Sequence, residues 1–145
     1  MVEEKFYTRE EIIDLRIAAQ YYKLKGPAEF WQLPAEDLQT ICNGAGPDRW
    51  STLKRRAVTA AIGGMYESAY AIHDVEYEFR IGSQKKSDKN LRRNMIKIWK
   101  KHFGWRRWIS LRALRERFKV IPFVYLAVVL GGSPAWKVTK DDKHE

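Results

Sequence analysis

His73, Asp74 and Tyr77 fall within the stretch Ala69–Phe79, and their types and spacing are those of a proton-transfer and cation site. Ala69, Ile72, Val75 and Phe79 recur at three- and four-residue steps, which predicts a helix. On such a helix His73 and Tyr77 stand one turn apart on the same face. Asp74 is turned away by about 100° and addresses a neighbouring surface. Adjacent His and Asp side chains on a helix cannot hydrogen-bond each other as a catalytic pair, so each must serve a different partner. The spacing therefore suits a base on one side and a hard-cation ligand on the other.

The elements that must hold these residues are helical. Thr8 followed by Glu11 is a capping box for a helix through about Leu24, with Ile12, Leu15, Ala19 and Tyr22 inward, and Lys25-Gly26-Pro27 ends it. A short helix begins near Pro34 and runs to Ile41 or Cys42. Asn43–Asp48 holds two glycines and a proline and must be an irregular loop. Ser51 can cap a third helix through Ala61, before Gly63-Gly64. The His73 helix then spans about Met65–Arg80. Gly82–Lys86 is a short polar connection, which makes the next helix an antiparallel neighbour. That helix starts at Ser87 or Asp88, with Leu91, Met95, Ile98 and Trp99 inward, and Gly104 interrupts it. Trp105–Lys119 reads as a further basic helix. Val120–Leu130 is an apolar run of eleven residues broken by Pro122, where about 20 would be needed to span a bilayer. No strand-like alternation and no repeat occurs. The fold class is all-α.

At 145 residues the chain reads as a single domain, 1–145, large enough to bury its own core. Within it, about 1–40 are N-terminal helices, 41–100 a core, 101–136 basic and apolar C-terminal helices, and 137–145 a frayed tail. Cys42 is the one cysteine, so no internal disulfide can form. Met1–Lys5 is charged and no apolar run follows it, so no signal peptide is expected and the reducing cytoplasm is the expected compartment.

A Gly-x-Gly loop, a His-Asp-x-x-Tyr helix and an Asp opening the following helix occur in that order. This arrangement resembles the phospholipase A2 superfamily, above all its disulfide-poor viral and microbial branches, over roughly Ile41–Met95. The resemblance implies that His73 is the catalytic base, Asp88 the aspartate that orients it and Tyr77 a supporting tyrosine. It implies Ca²⁺ as cofactor, bound by Asp74 and the backbone carbonyls of Cys42, Gly44 and Gly46. The implied reaction is hydrolysis of a phospholipid carboxylic ester by a His73-activated water. The absence of a signal peptide and the likeness to viral members imply a phage or prophage protein that travels with the particle or acts after lysis. Elementary chemistry is compatible with these roles. Calcium accepts carbonyls and carboxylates in an adaptable shell. A neutral imidazole can take a proton from water while a second acid stabilises the imidazolium. Packed antiparallel, the two helices should bring the His73 ring and the Asp88 carboxylate within about 3 Å, with Tyr77 approaching the same carboxylate.

The net charge of +9 is concentrated. Residues 1–50 carry nine acids against six bases, whereas Arg92–Lys119 holds eleven bases and one acid, Glu116, a local balance of +10. Arg92, Arg93, Lys97, Lys100, Lys101, Arg106 and Arg107, interleaved with Trp99, Trp105 and Trp108, suit an anionic lipid surface. They equally suit nucleic acid, through phosphate contacts and stacking, or a solvated face over a core that the tryptophans partly fill. A neighbouring lipolytic site favours the membrane. The rival to the enzymatic reading is an inactive module of the same scaffold, binding membrane, nucleic acid or virion proteins through Arg92–Lys119.

Overall fold

Thr8 starts the first helix as its spacing predicts: its Oγ1 accepts from the Glu11 amide at 3.1 Å. The computed structural model describes residues 5–42 and 64–130. Of these residues 82% are helical and none is in a strand, so the protein is all-α. The elements are α1 (Arg9–Tyr21), α2 (Ala28–Gln32), α3 (Ala35–Ile41), a 3₁₀ turn (Gly64–Tyr66), α4 (Glu67–Phe79), α5 (Gln84–Phe103) and a second 3₁₀ turn (Gly104–Trp108). Last comes α6 (Leu111–Arg115), which runs on through a π turn (Glu116–Val120) into helical residues 121–130. The loop Asn43–Asp48, the helix expected over Ser51–Ala61 and the tail 137–145 lie outside the described residues.

α4 is the central element. Ala69, Tyr70, Ala71, Ile72, Val75 and Glu76 are all buried, more of its circumference than one neighbour could cover. α1, α2, α3 and α5 all pack against it. α1 supplies Ile12, Leu15 and Ala19 to the common core, α3 supplies Leu38, and α5 supplies Leu91, Met95, Ile98 and Trp99. The indole of Trp99 also donates to the Ala113 carbonyl at 2.7 Å, tying α6 to the end of α5.

Two helix ends use the same device. After α1, Lys23 takes a left-handed conformation (φ 54°), and the Leu24 amide reaches back to the Ala19 carbonyl. After α4, Arg80 does so (φ 50°), and the Ile81 amide reaches the Glu76 carbonyl. Both are Schellman closures built without glycine. The second leaves only residues 80–82 before Ser83 caps α5 by accepting from the Lys86 amide at 3.2 Å. α5 therefore begins at Gln84 rather than at Ser87 or Asp88, with Ser83 as its N-cap. Asp88 is thereby carried into the second turn, on the face that meets α4.

Three further features differ from the expectation. α1 stops at Tyr21, three residues early, where the Lys23 closure intervenes. Ala28–Gln32 is a separate helix, since Pro27 restarts the chain instead of only ending it. Pro122 does not break the apolar run. The π turn immediately before it rearranges the hydrogen-bond ladder where proline lacks an amide, so the helix continues.

The polar face of α5 anchors the chain leaving α1. Asn94, fully buried, accepts from the Lys25 amide at 3.0 Å and donates to the Lys25 carbonyl at 2.9 Å. Lys97 and Lys101 cap the end of α1 at the Lys23 and Tyr21 carbonyls, at 3.2 and 2.8 Å. Asn94→Ala removes both bonds to the Lys25 backbone and should cost about 3 kcal/mol in urea unfolding. Lys23→Gly relieves the left-handed residue and should instead raise stability by about 1 kcal/mol in the same assay.

Candidate functional site

The hairpin of α4 and α5 brings three of the expected residues together. His73 Nε2 lies 2.8 Å from Asp88 Oδ1, and the Tyr77 hydroxyl donates to the same oxygen at 2.7 Å. His73 is 8% exposed and Asp88 2%. The His73 and Tyr77 rings pack with centroids 4.3 Å apart, as one-turn spacing on a common face requires. Burial, and then the bond to Asp88, push the Tyr77 hydroxyl far above its ordinary range, so it remains a donor. Gln84 donates to Tyr77 in turn, giving a chain from the first residue of α5 to the imidazole.

A carboxylate only accepts, so its partner Nε2 must carry the hydrogen. In the neutral ring Nδ1 is then the lone-pair nitrogen. The arrangement is thus a buried imidazole with its tautomer assigned, its far nitrogen available as a base, and a carboxylate in position to stabilise the imidazolium.

Asp74 addresses a different surface, as its rotation requires, and is half-buried. Its charge reaches the Cys42 thiol and the Tyr7 hydroxyl. Cys42 closes α3, and its Sγ donates to the Ala71 carbonyl at 3.7 Å, one turn before Asp74. The residue from which the Gly-x-Gly segment departs is therefore fastened to the turn of α4 that precedes the candidate cation ligand. Gly44 and Gly46 themselves lie outside the described residues. Burial first, and Asp74 second, push the Cys42 thiol well up, so it stays protonated and suits packing rather than nucleophilic attack. No group of three or more His, Cys, Asp or Glu side chains able to hold a metal occurs among the described residues.

The basic positions separate into two groups. Lys97 and Lys101 hydrogen-bond the carbonyls at the end of α1, and Lys101 also lies 4.0 Å over the Tyr21 ring. Arg92 stands 5.6 Å from the Tyr125 ring, while Arg93 and Lys100 are exposed. At the corner after α5, Arg106 and Arg107 flank Trp105 and Trp108, and Arg107 also donates to the Gly104 carbonyl at 2.8 Å. Trp99 is core, whereas Trp105 and Trp108 are exposed.

The sequence reading missed Glu76 and its partner. Glu76 is buried beside the site, and Asn90 donates both to its carboxylate at 3.0 Å and to the Lys25 carbonyl at 2.9 Å. Asn90 and Asn94, four apart on a helix and flanking the apolar Leu91, were the available signal. A cavity of about 650 Å³ between α1 and the start of α4 was also unsignalled; Phe6, Tyr7, Leu15, Met65 and Glu67 are among its walls. Comparison of the chain with protein-family models, with curated proteins and with solved structures matches none of them.

Burial raises the Glu76 carboxyl from 4.5 to about 7, against the opposing bond from Asn90. The folded protein thus keeps a proton that the unfolded chain has already lost between those values. The stability Glu76 contributes is full below about pH 4.5 and declines as pH rises through about 7. Glu76→Gln keeps an acceptor for Asn90 but cannot ionise. Relative to wild type, it should gain stability between pH 5 and pH 8 by about 1–3 kcal/mol, read from urea unfolding at the two pH values; equal differences at both would refute this.

Proposed function

We propose that the protein is a calcium-dependent hydrolase of phospholipid carboxylic esters, working as phospholipase A2 does. The observation that carries this reading is one buried oxygen, Asp88 Oδ1, bonded to both His73 Nε2 and the Tyr77 hydroxyl. Asp74, the next residue after the base, turns toward the end of α3, where the Gly-x-Gly segment begins.

In this mechanism His73 Nδ1 takes a proton from water as the water oxygen bonds to the ester carbonyl carbon. Asp88 holds the imidazolium through Nε2–H, and Tyr77 holds Asp88 in place. The same proton is then delivered to the departing alcohol oxygen as its bond to carbon breaks, which returns His73 to its neutral tautomer. Calcium, when bound by Asp74 and the carbonyls of Cys42, Gly44 and Gly46, would supply polarisation of the ester carbonyl. No nucleophilic serine or cysteine is needed. On the resemblance alone, we infer a phage or prophage protein made in the cytoplasm, which travels with the particle or acts after lysis. No helix among the described residues is long and apolar enough to cross a membrane.

The test is fatty-acid release from mixed-chain phospholipid vesicles, with calcium and with chelator. Wild type should release fatty acid only with calcium. His73→Gln should lower the rate by about 10²–10⁴-fold and still bind calcium by calorimetry. Asp74→Asn should lose both calcium affinity and activity. If wild type releases no fatty acid with calcium present, the enzymatic reading fails and the inactive module replaces it.

A further inference from the structure

Residues 111–130 pack on the domain through Ala113, Ile121 and Val124, yet their outer side is also apolar. Phe123, Leu126 and Leu130 are 62%, 55% and 73% exposed, and no charged residue lies between Val120 and Leu130. The corner before this helix presents Trp105, Trp108 and Leu111, at 72%, 63% and 86%. Arg106 and Arg107 stand within the corner group, and Arg112, Arg115, Arg117 and Lys119 fall between it and Phe123. The single acid of that stretch, Glu116, is buried. This face thus combines exposed hydrocarbon with bases that no exposed acid of the same stretch offsets.

We infer that this face docks on an anionic bilayer, with Phe123, Leu126 and Leu130 entering the acyl region and the bases meeting headgroups. The chemistry selects that occupant. Nucleic acid offers the negative charge but no hydrocarbon for a leucine and phenylalanine face. A second copy meeting this face by a two-fold axis would set six bases against six. An anionic bilayer supplies both halves, charge at the surface and hydrocarbon just beneath. Exposed indoles flanked by arginines at the corner belong at headgroup depth, between the two. Eleven helical residues extend about 16 Å, roughly half a hydrocarbon core, so the segment lies in the interface and does not cross it. Lys97 and Lys101, bonded to the end of α1, are not needed for this contact.

The inference extends the esterase reading, since it names how the chain reaches lipid, but its test reads binding and not hydrolysis. Protein is sedimented with vesicles of phosphatidylcholine alone and with vesicles containing phosphatidylglycerol, and tryptophan emission is followed. Partition onto the anionic vesicles should be at least about tenfold stronger, weaken with salt, and bring a blue shift. Leu126→Glu and Leu130→Glu alter exposed side chains; each should keep the helical circular dichroism and lower partition about tenfold or more. His73→Gln should bind as wild type does, so loss of hydrolysis and loss of docking remain separate results. Undiminished binding by both glutamate variants would overturn the proposal. So would a wild-type dimer that Leu126→Glu dissolves with no vesicle affinity, or salt-sensitive DNA binding without vesicle binding.

Discussion

Asp88 is the constraint on which the hairpin depends. A carboxylate at 2% exposure has lost nearly all its water, a cost of several kcal/mol that must be offset by hydrogen bonds. His73 and Tyr77 supply two, and both come from α4. The seam continues at Glu76 and Asn90, three residues and two residues further along the two helices. Sliding α5 by one turn would separate each of these pairs at once and leave buried polar groups unpartnered. The apolar contacts between the helices tolerate some slippage; the polar seam does not. Register is therefore set by the same residues that form the candidate site.

Asn90 connects that seam to the rest of the chain. Its amide reaches the Lys25 carbonyl as well as Glu76, and Asn94, Lys97 and Lys101 continue along the same side of α5 to the carbonyls of Lys25, Lys23 and Tyr21. One stripe of α5 thus faces α4 while the adjacent stripe holds the end of α1. Asp88 is consequently supported from two directions. With one cysteine the chain can form no internal disulfide, and this lattice of side-chain-to-backbone bonds, with the Trp99 bond to Ala113, ties its helices together.

The all-α class and the inner faces of α1, α4 and α5 were legible because each carries a three- and four-residue apolar rhythm. So was the meeting of His73 with Asp88, which needs only the helix period and a short connection. The start of α5 was misplaced by several residues because Ser83, Ser87 and Asp88 are all acceptable caps, and only packing against α4 selects Ser83. Lys97 and Lys101 read as free surface charge, since a bond to a distant backbone carbonyl leaves no trace in local spacing. Glu76 was hidden for a related reason: a glutamate inside an apolar pattern looks solvated until its partner is seen. The helix through Pro122 depends on a π turn that no residue preference announces.

Stability does not explain the seam. Buried charged or hydrogen-bonded pairs can often be replaced by packed apolar side chains with no loss, and sometimes with a gain. Leucine and phenylalanine at positions 73, 77 and 88 would join a core already made of Ile72, Val75, Leu91 and Met95. A histidine at this depth has another consequence. With Nε2–H committed to Asp88, the lone pair of the neutral ring lies at Nδ1. Asp74, one residue on, is set apart from this pair and faces the end of α3. A single helix thus carries His73 and Asp74 to two different surfaces, one meeting α5 and the other the end of α3.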